Sequence, residues 1–322
     1  MRIVVTGAAG FIGSRFAEML VESAQHDGDE VLILDALTYS GRRENLTKVL
    51  ESSRVSFLEG SITDPAVTDR ALEGADAVVH LAAESHVDRS ITGARVFFET
   101  NVVGTQNLLE SARRAGVSRF VHVSTDEVYG TIPEGSWRED HILEPNSPYS
   151  SSKAGSDLVA LAYHRTFGMH VNVTRCSNNY GPRQFPEKVI PLFVSNLIDG
   201  HKVPLYGDGG NIRDWLHVDD HCRGILAVLD GGGAGEIYNI GGGTELTNRD
   251  LTTRILELMD SDESSIEPVA DRLGHDRRYS VDWSKIHDEL GYSPQVDFAE
   301  GLAATVQWYR DNESWWRPLK GA

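Results

Sequence analysis

A glycine-rich turn between a strand and a helix is the feature that most restricts the fold of this chain. Residues 2–6 form a β-branched strand pattern, and a helical pattern follows the segment Gly7-Ala8-Ala9-Gly10-Phe11-Ile12-Gly13. Glycines at these positions allow a tight turn, close approach of backbone N–H groups to a pyrophosphate, and close packing of helix on strand. The turn therefore predicts a dinucleotide site, with Gly7, Gly10, Phe11, Ile12 and Gly13 as cofactor contacts.

An acidic residue follows at the distance expected for such a site. Asp35 ends the second predicted strand, 30–34, and lies 22 residues after Gly13. A carboxylate there can accept hydrogen bonds from both ribose hydroxyls, whereas it would repel a 2′-phosphate. We therefore expect NAD rather than NADP, with Asp35 and the next three residues, Ala36, Leu37 and Thr38, among its contacts.

Strand and helix patterns alternate without a break up to about residue 180. Further strand candidates are 55–58, 77–81, 119–123 and 170–174. This alternation predicts an α/β fold with a Rossmann-type, doubly wound parallel sheet. From residue 188 onward, short strand pieces and glycine clusters interrupt the helices. We expect a dinucleotide-binding domain over 1–180 and a smaller mixed α/β substrate region over 181–322, with some later segments returning to the main sheet.

Small and polar residues follow the third and fourth strands. Ser61 and Ile62 come after the third. Leu81 ends the fourth and Ala82 and Ala83 follow it, where small side chains would let a dinucleotide pass close to the backbone. The next residues, Glu84 and Ser85, also fit ordinary loop positions. Thr100, within the helical pattern 96–115, also fits a polar residue that faces the core.

The stretch from Ser124 to Lys153 carries the candidate catalytic groups. Thr125, Asp126 and Glu127 follow a predicted buried strand, at the edge where parallel sheets bind ligands. Tyr149 and Lys153 lie one turn apart on the next helix, 148–167, where an ammonium group beside the phenol would lower a pKa that is ordinarily ~10. Taken singly, these residues also fit a solvated pair and a turn. Their order after a dinucleotide motif favours catalysis.

Composition excludes several classes of partner. The net charge of −18 disfavours binding to nucleic acid or to an anionic membrane, since both require a basic surface. No run of 18 apolar residues occurs, and the two cysteines have no metal-ligand spacing. We therefore expect a cytoplasmic protein with no metal site.

Longer motifs support a family resemblance. Gly7-x-x-Gly10-x-x-Gly13 and Tyr149-x-x-x-Lys153 are general, whereas six segments are more specific: Leu81–Ser90, Ser124–Gly130, Asn178–Pro182, Pro186–Lys188, Arg213–Trp215 and Gly274–Tyr279. With these motifs, nearly the whole chain resembles the extended short-chain dehydrogenase/reductase (NAD-dependent epimerase/dehydratase) family. Within it, the chain most resembles the nucleotide-diphosphate-glucose 4,6-dehydratases that act on dTDP-glucose in deoxysugar biosynthesis. The Thr-Asp-Glu triplet discriminates, because the similar sugar epimerases lack the Asp-Glu pair.

The resemblance implies a catalytic role for each of the five candidates. Tyr149 would take the proton from O4 while a hydride leaves C4 for NAD, with Lys153 supporting the phenolate and Thr125 bonding the oxygen at C4. Glu127 would then remove the C5 proton, and a protonated Asp126 would give its proton to the departing C6 hydroxyl. The product would be a 4-keto-6-deoxy sugar nucleotide, of use in deoxysugar and antibiotic biosynthesis.

The resemblance also implies the binding residues. The cofactor set gains Ser61, Ile62, Ala82, Thr100 and Asn178, and the dTDP-glucose ligands would be Glu84, Ser85, Thr125, Asn179, Lys188, Pro204, Tyr206, Arg213, Asn248, Arg272 and His275. Two positions depart from the family pattern. Ser61 stands where relatives commonly have Asp for the adenine amino group, and Arg183 stands where they often have an aromatic residue.

Family members pair as homodimers, which implies a contact here through helices 96–115 and 148–167. Two other functions fit the same fold. One is a sugar-nucleotide 4-epimerase or related oxidoreductase, against which Asp126 and Glu127 argue. The other is a catalytically silent NAD-binding sensor, which would not need the intact set of Thr125, Tyr149 and Lys153.

Overall fold

Twelve strands occur in residues 1–320, the part of the chain that the computed structural model describes. They are β1 (Arg2–Thr6), β2 (Glu30–Asp35), β3 (Val55–Glu59), β4 (Ala77–His80), β5 (Arg119–Thr125), β6 (Val171–Cys176), β7 (Asn178–Tyr180), β8 (Val203–Tyr206), β9 (Ile212–His217), β10 (Ile237–Ile240), β11 (Glu245–Thr247) and β12 (Ile266–Val269). The predicted strands 2–6, 30–34, 55–58 and 119–123 lie within β1, β2, β3 and β5, whereas β4 ends one residue before the end of the predicted strand 77–81. β6 begins one residue later and ends two residues later than the sequence pattern indicated.

Seven of these strands form one parallel sheet in the order β10-β6-β5-β4-β1-β2-β3. The predicted doubly wound parallel sheet is confirmed. The strand order reverses between β1 and β4, and ligands of such sheets bind outside the carboxyl ends at this switch point. Residues 237–240 supply one edge strand, and the division of the chain at residue 180 stays a prediction.

The α-helices are divided between the two faces of the main sheet and a smaller region beside it. They are α1 (Phe11–Glu22), α2 (Pro65–Leu72), α3 (Val87–Thr92), α4 (Arg95–Phe98), α5 (Thr105–Ala115), α6 (Pro148–Phe167), α7 (Val189–Ile198), α8 (Val218–Gly231), α9 (Asn248–Leu258), α10 (Ser284–Leu290), α11 (Phe298–Asp311) and α12 (Glu313–Trp316). The apolar side chains of α1, α8 and α10 pack on one face, and those of α2, α5 and α6 pack on the other. Among residues 1–320, no helix combines the length and the apolar character needed to span a membrane.

Local sequence explains why α6 begins and ends where it does. Ser147 and Ser150 form a reciprocal capping box, and Pro148 occupies the first turn, where its missing N–H costs nothing. Gly168 ends the helix in the left-handed conformation at φ 70°. These signals fix the first turn of α6, which carries Tyr149.

The helix predicted over 96–115 is interrupted in the middle. Residues Glu99–Gly104 form a π-helical segment that joins α4 to α5. Within it, Asn101 is fully buried and its amide donates to the backbone carbonyl of Glu84 and to the hydroxyl of Ser152. The segment therefore ties the loop after β4 to α6.

Most of the remaining chain builds a smaller region beside the carboxyl ends of the main sheet. It contains a three-stranded sheet in the order β11-β9-β7 and the parallel pair β12-β8. Its separate apolar core includes side chains of α7, α9 and α11.

Candidate active site

A cavity opens at the carboxyl ends of β1, β2, β4 and β5, next to the switch point. Most of the predicted site residues line it, together with the glycine-rich turn. All five catalytic candidates are among its lining residues: Thr125, Asp126, Glu127, Tyr149 and Lys153. The structure therefore brings the two halves of the Ser124–Lys153 stretch to one place.

The glycine-rich turn forms one wall of this cavity. Gly7 adopts φ +71°, and a Cβ atom there would lie 2.6 Å from the backbone nitrogen of Ala82. A Cβ atom at Gly13 would lie 2.3 Å from the carbonyl oxygen of Gly7. Gly10 is the residue before α1 and provides no side-chain cap. No capping side chain therefore accepts hydrogen bonds from the backbone N–H groups in the first turn of α1. This wall fits a pyrophosphate.

Asp35 lies at the end of β2, where a carboxylate was predicted. Its two oxygens accept hydrogen bonds from the backbone N–H groups of Ala9 and Leu37, both at 2.8 Å. Burial raises the pKa of Asp35, while these two bonds act in the opposite direction. Leu37 has φ 48° and packs against the core, so its side chain is not among those lining the cavity.

The other predicted cofactor contacts line the same cavity. They are Gly10, Phe11, Ile12, Ala36, Thr38, Ser61, Ile62, Leu81, Ala82, Ala83, Thr100 and Asn178. The side-chain oxygen of Asn178 is buried without a hydrogen-bond partner in residues 1–320, so it is open to a ligand. The Ser61 hydroxyl lies 2.8 Å from that of Thr63. The set fits a dinucleotide along its whole length.

Lys153 connects the two elements that carry the catalytic candidates, and Thr125 lies at the end of one of them. Thr125 is the last residue of β5, and its hydroxyl accepts a hydrogen bond from the backbone N–H of Glu127 at 3.3 Å. Lys153 is buried on α6, one turn after Tyr149, and its ammonium nitrogen donates to the carbonyl oxygen of Val123 at 2.8 Å. The hydroxyl, the phenol and the ammonium group thus reach the cavity from packed secondary structure.

The prediction that Lys153 lowers the pKa of Tyr149 is wrong for this structure. Burial raises the pKa of the Tyr149 phenol well above its usual value, and Glu127 raises it further, whereas a hydrogen bond with Thr125 lowers it. Burial also lowers the pKa of Lys153 to about 8. Desolvation therefore outweighs the attraction between ammonium and phenolate that the spacing suggested.

The two adjacent carboxyl groups have different surroundings. Burial raises the pKa of Asp126 well above its usual range, and the charges of Glu127 and Asp214 act in the same direction. Burial also raises the pKa of Glu127, but the nearby cations Arg272, Lys188 and Arg213 oppose that rise. Asp126 is therefore the group that keeps a proton, and Glu127 is the one that ionises more readily.

Four of the predicted substrate ligands besides Thr125 also line the cavity: Glu84, Ser85, Asn179 and Lys188. Lys188 donates from its ammonium nitrogen to the carbonyl oxygen of Ser85 at 2.9 Å. The amide of Asn179 donates to the carbonyl oxygen of Ser177 at 2.9 Å, and its oxygen lies 2.9 Å from Nδ1 of His221. These contacts hold the ligand candidates at the border of the smaller region.

The remaining predicted ligands lie in the smaller region and not among the residues lining this cavity: Pro204, Tyr206, Arg213, Asn248, Arg272 and His275. The rings of Tyr206 and His275 are 6.2 Å apart. Arg213 donates to the carbonyl oxygen of Asp276 at 2.9 Å, and Arg272 lies 3.8 Å from Asp88. The charges of Arg213 and Arg272 both act to lower the pKa of Glu127, so these two arginines influence the catalytic carboxylate although they do not line the cavity.

Sequence reasoning missed part of the cavity wall. Tyr39, Phe185 and Glu187 line it without having been singled out as site residues, and so does Arg183, which was left without a role. Tyr39 follows a strand end by a few residues, Arg183 and Phe185 follow the motif Asn178–Pro182, and Glu187 lies inside the motif Pro186–Lys188; these were the available signals. Arg183 has φ 68° and pairs with Glu18 of α1 at 2.7 Å.

Comparison with known proteins places this arrangement among nucleotide-sugar enzymes. The model of the GDP-mannose 4,6-dehydratase family matches residues 4–305. A dTDP-glucose 4,6-dehydratase of Streptomyces antibioticus is 58% identical, over 99% of this chain and 96% of that protein. Both findings cover nearly the full length.

Solved structures give the same result. DesIV of Streptomyces venezuelae, a dTDP-glucose 4,6-dehydratase with NAD and dTDP bound, superimposes with a TM-score of 0.98 at 63% identity, covering 99% of this chain and all of that one. A UDP-glucose 4-epimerase of Thermus thermophilus with NAD has a TM-score of 0.89 at 33% identity, over 97% of this chain and all of that one. The fold is therefore shared by dehydratases and epimerases, and the likeness is greater to the dehydratase.

Proposed function

Because this chain belongs to the extended short-chain dehydrogenase/reductase family and matches its GDP-mannose 4,6-dehydratase model, we propose that it converts dTDP-glucose to dTDP-4-keto-6-deoxyglucose. It is an NAD-dependent lyase of deoxysugar biosynthesis. The observation that carries this proposal is the pair Asp126 and Glu127, buried in different electrostatic surroundings in the cavity that Tyr149 and Lys153 also line.

The chemistry requires a temporary oxidation. The hydrogen at C5 of a glucosyl unit is not acidic, so water cannot leave from C5 and C6 directly. A ketone at C4 makes that hydrogen acidic. When bound, NAD supplies the hydride chemistry, accepting hydride from C4 and returning it to C6.

Tyr149 is the proposed base for the hydroxyl at C4. Its phenol must lose a proton to act, and burial opposes that loss. The hydrogen bond with Thr125 lowers the pKa of the phenol, and in this proposal the Thr125 hydroxyl also bonds the oxygen at C4. Lys153 holds the nicotinamide ribose in this proposal.

Glu127 and Asp126 divide the elimination between them. Glu127, whose ionised form is favoured by three neighbouring cations, removes the proton from C5. Asp126, whose pKa burial raises, holds the proton that the departing C6 hydroxyl needs. A proton returns to C5 when the hydride returns to C6.

The residues that would hold NAD are those along the cavity wall. The turn Gly7–Gly13 would hold the pyrophosphate, Asp35 would accept hydrogen bonds from the ribose hydroxyls, and Asn178 would offer its unpartnered side-chain oxygen. The Asp35 carboxylate repels a 2′-phosphate, which favours NAD over NADP. Arg213, Arg272 and Lys188 provide positive charge for the substrate pyrophosphate.

Incubation with dTDP-glucose in heavy water tests the function. A dehydratase places deuterium at C5 of a 4-keto-6-deoxy product, as read by mass spectrometry and NMR. An epimerase would return the galactosyl isomer instead, and a silent sensor would return the substrate unchanged; either result would overturn the proposal. Parallel assays with UDP-, CDP- and GDP-glucose determine the nucleobase.

We also propose that the chain forms a homodimer through the helical segment 96–115 and α6. Large apolar side chains are exposed on these elements: Val96, Phe98, Val103, Leu158 and Phe167. Apolar side chains concentrated on two neighbouring elements are typical of a protein interface. The proposed location is the cytoplasm, which the free thiols of Cys176 and Cys222 suit.

A further inference from the structure

Three segments of the chain meet at the rim of the cofactor cavity. Tyr39 lies in the loop after β2, Arg89 in α3 after β4, and Glu187 in the loop that follows β7. The guanidinium carbon of Arg89 lies 4.1 Å from the centre of the Tyr39 ring, and its Nε donates to a carboxylate oxygen of Glu187 at 2.9 Å. Phe185 packs its ring against Tyr39 at 5.4 Å, edge to face.

The contact between Tyr39 and Arg89 joins two segments of the chain that lie on opposite sides of β1. The loops after β2 and β4 belong to the two strands that flank β1, and β1 leads into the glycine-rich turn. A contact between Tyr39 and Arg89 therefore joins the two sides of the switch point where the dinucleotide is expected. Tyr39, Phe185 and Glu187 line the cavity themselves.

The contact is partly shielded from solvent, since Tyr39 and Glu187 are mostly covered whereas the Arg89 side chain is 41% exposed. Tyr39 is only partly exposed, and burial together with the charge of Glu187 raises the pKa of its phenol far above the usual value. Glu187 is 17% exposed and also lies 3.9 Å from His86. Partial shielding makes the cation–π contact and the ion pair stronger than the same pairs in open solvent.

We propose that Tyr39, Arg89 and Glu187 form a clasp that retains NAD in the cavity throughout the catalytic cycle. The inference rests on the proposed function, in which the hydride taken from C4 is needed again at C6. A reduced cofactor that escaped between these two steps would leave a 4-keto intermediate that cannot be completed. Retention, rather than exchange, is therefore the property that this reaction requires of its cofactor site.

Retention can be measured without substrate. The protein is loaded with NAD, desalted, and assayed for NAD per subunit over time. We expect Tyr39→Ala and Arg89→Ala to lose NAD about five- to ten-fold faster than the parent, since each removes the cation–π contact. Tyr39→Phe, which keeps the ring that faces Arg89, should stay within about two-fold of the parent.

Controls separate the clasp from a general loss of structure. Arg43→Ala removes a cation–π contact with Phe57 outside the cavity and should leave retention unchanged. The double variant Tyr39→Ala/Arg89→Ala should lose NAD no faster than either single variant, because both act on one contact. Dehydration by the Ala variants should recover in saturating NAD.

Equal retention in the parent, Tyr39→Ala and Arg89→Ala would overturn the clasp. So would a double variant whose loss rate is the product of the two single effects. A failure of the proposed function would give a different result, because the parent would then not dehydrate dTDP-glucose even in saturating NAD. The rates of NAD loss from the parent and the variants would still test the clasp.

Discussion

The ammonium nitrogen of Lys153 donates a 2.8 Å hydrogen bond to the carbonyl oxygen of Val123. Val123 lies two residues before Thr125 on β5, and Lys153 lies one turn after Tyr149 on α6. This buried, charge-assisted bond therefore fixes the helix that carries the phenol relative to the strand that carries the hydroxyl.

Removing the Lys153 charge should change how stability depends on pH. The folded protein holds this group with a pKa of about 8, compared with 10.5 ordinarily. Between these values the unfolded chain binds more protons, so the parent becomes more stable as pH rises. We expect the unfolding free energy of the parent, measured relative to that of Lys153→Met in urea titrations, to rise by about 3 kcal/mol from pH 8 to 10.5. The exposed Lys48→Met is the control, and a pH-independent difference between parent and Lys153→Met would contradict this assignment.

Replacing the proposed base should stop the first hydride transfer. Tyr149→Phe removes the group that takes the proton from O4, so we expect the rate of cofactor reduction to fall by ~10²–10⁴-fold in stopped-flow absorbance. Tyr163→Phe is the matched control, because Tyr163 lies on the same helix and bonds Gln106 and Glu110. Equal rates for the two variants would show that another group takes the proton.

Glu127→Gln should separate oxidation from elimination. The amide cannot accept the C5 proton, so the variant should reduce its NAD on mixing with dTDP-glucose but form the final product ~10²–10⁴-fold more slowly. Glu139→Gln is the control, because the pKa of Glu139 is also raised by burial although it does not line the cavity. Elimination at the parent rate in Glu127→Gln would refute the base assignment.

A charge introduced on the proposed dimer face should dissociate the dimer into monomers. Phe98→Asp places a carboxylate within an apolar surface, and we expect a shift from dimer to monomer by light scattering with chromatography. Ile142→Asp serves as the control, because Ile142 is more exposed, at 77%, but lies outside both helices. A monomeric parent would contradict the dimer itself.

The sequence predicted the main sheet well because its signals are local. The buried run Ile3-Val4-Val5 and the glycines at 7 and 13 each determine nearby backbone. The cavity wall was predicted less completely, because Tyr39 and Glu187 meet only through the fold. The direction of the pKa change at Tyr149 was also predicted wrongly. Desolvation of the phenol depends on all the groups packed around it, and the position of Lys153 four residues later in the sequence does not reveal that packing.

The π-helical segment Glu99–Gly104 changes the directions in which side chains before and after it point. A π turn contains roughly one residue more than an α turn, so it advances the angular position of every side chain on one side of it. Asn101 is turned inward to the loop after β4, while Val103, two residues later, stands half exposed on the outer surface. Deleting a single residue here would restore regular winding and rotate α4 by about a quarter turn relative to α5, so the polar anchor and the outer apolar side chains could not both keep their directions.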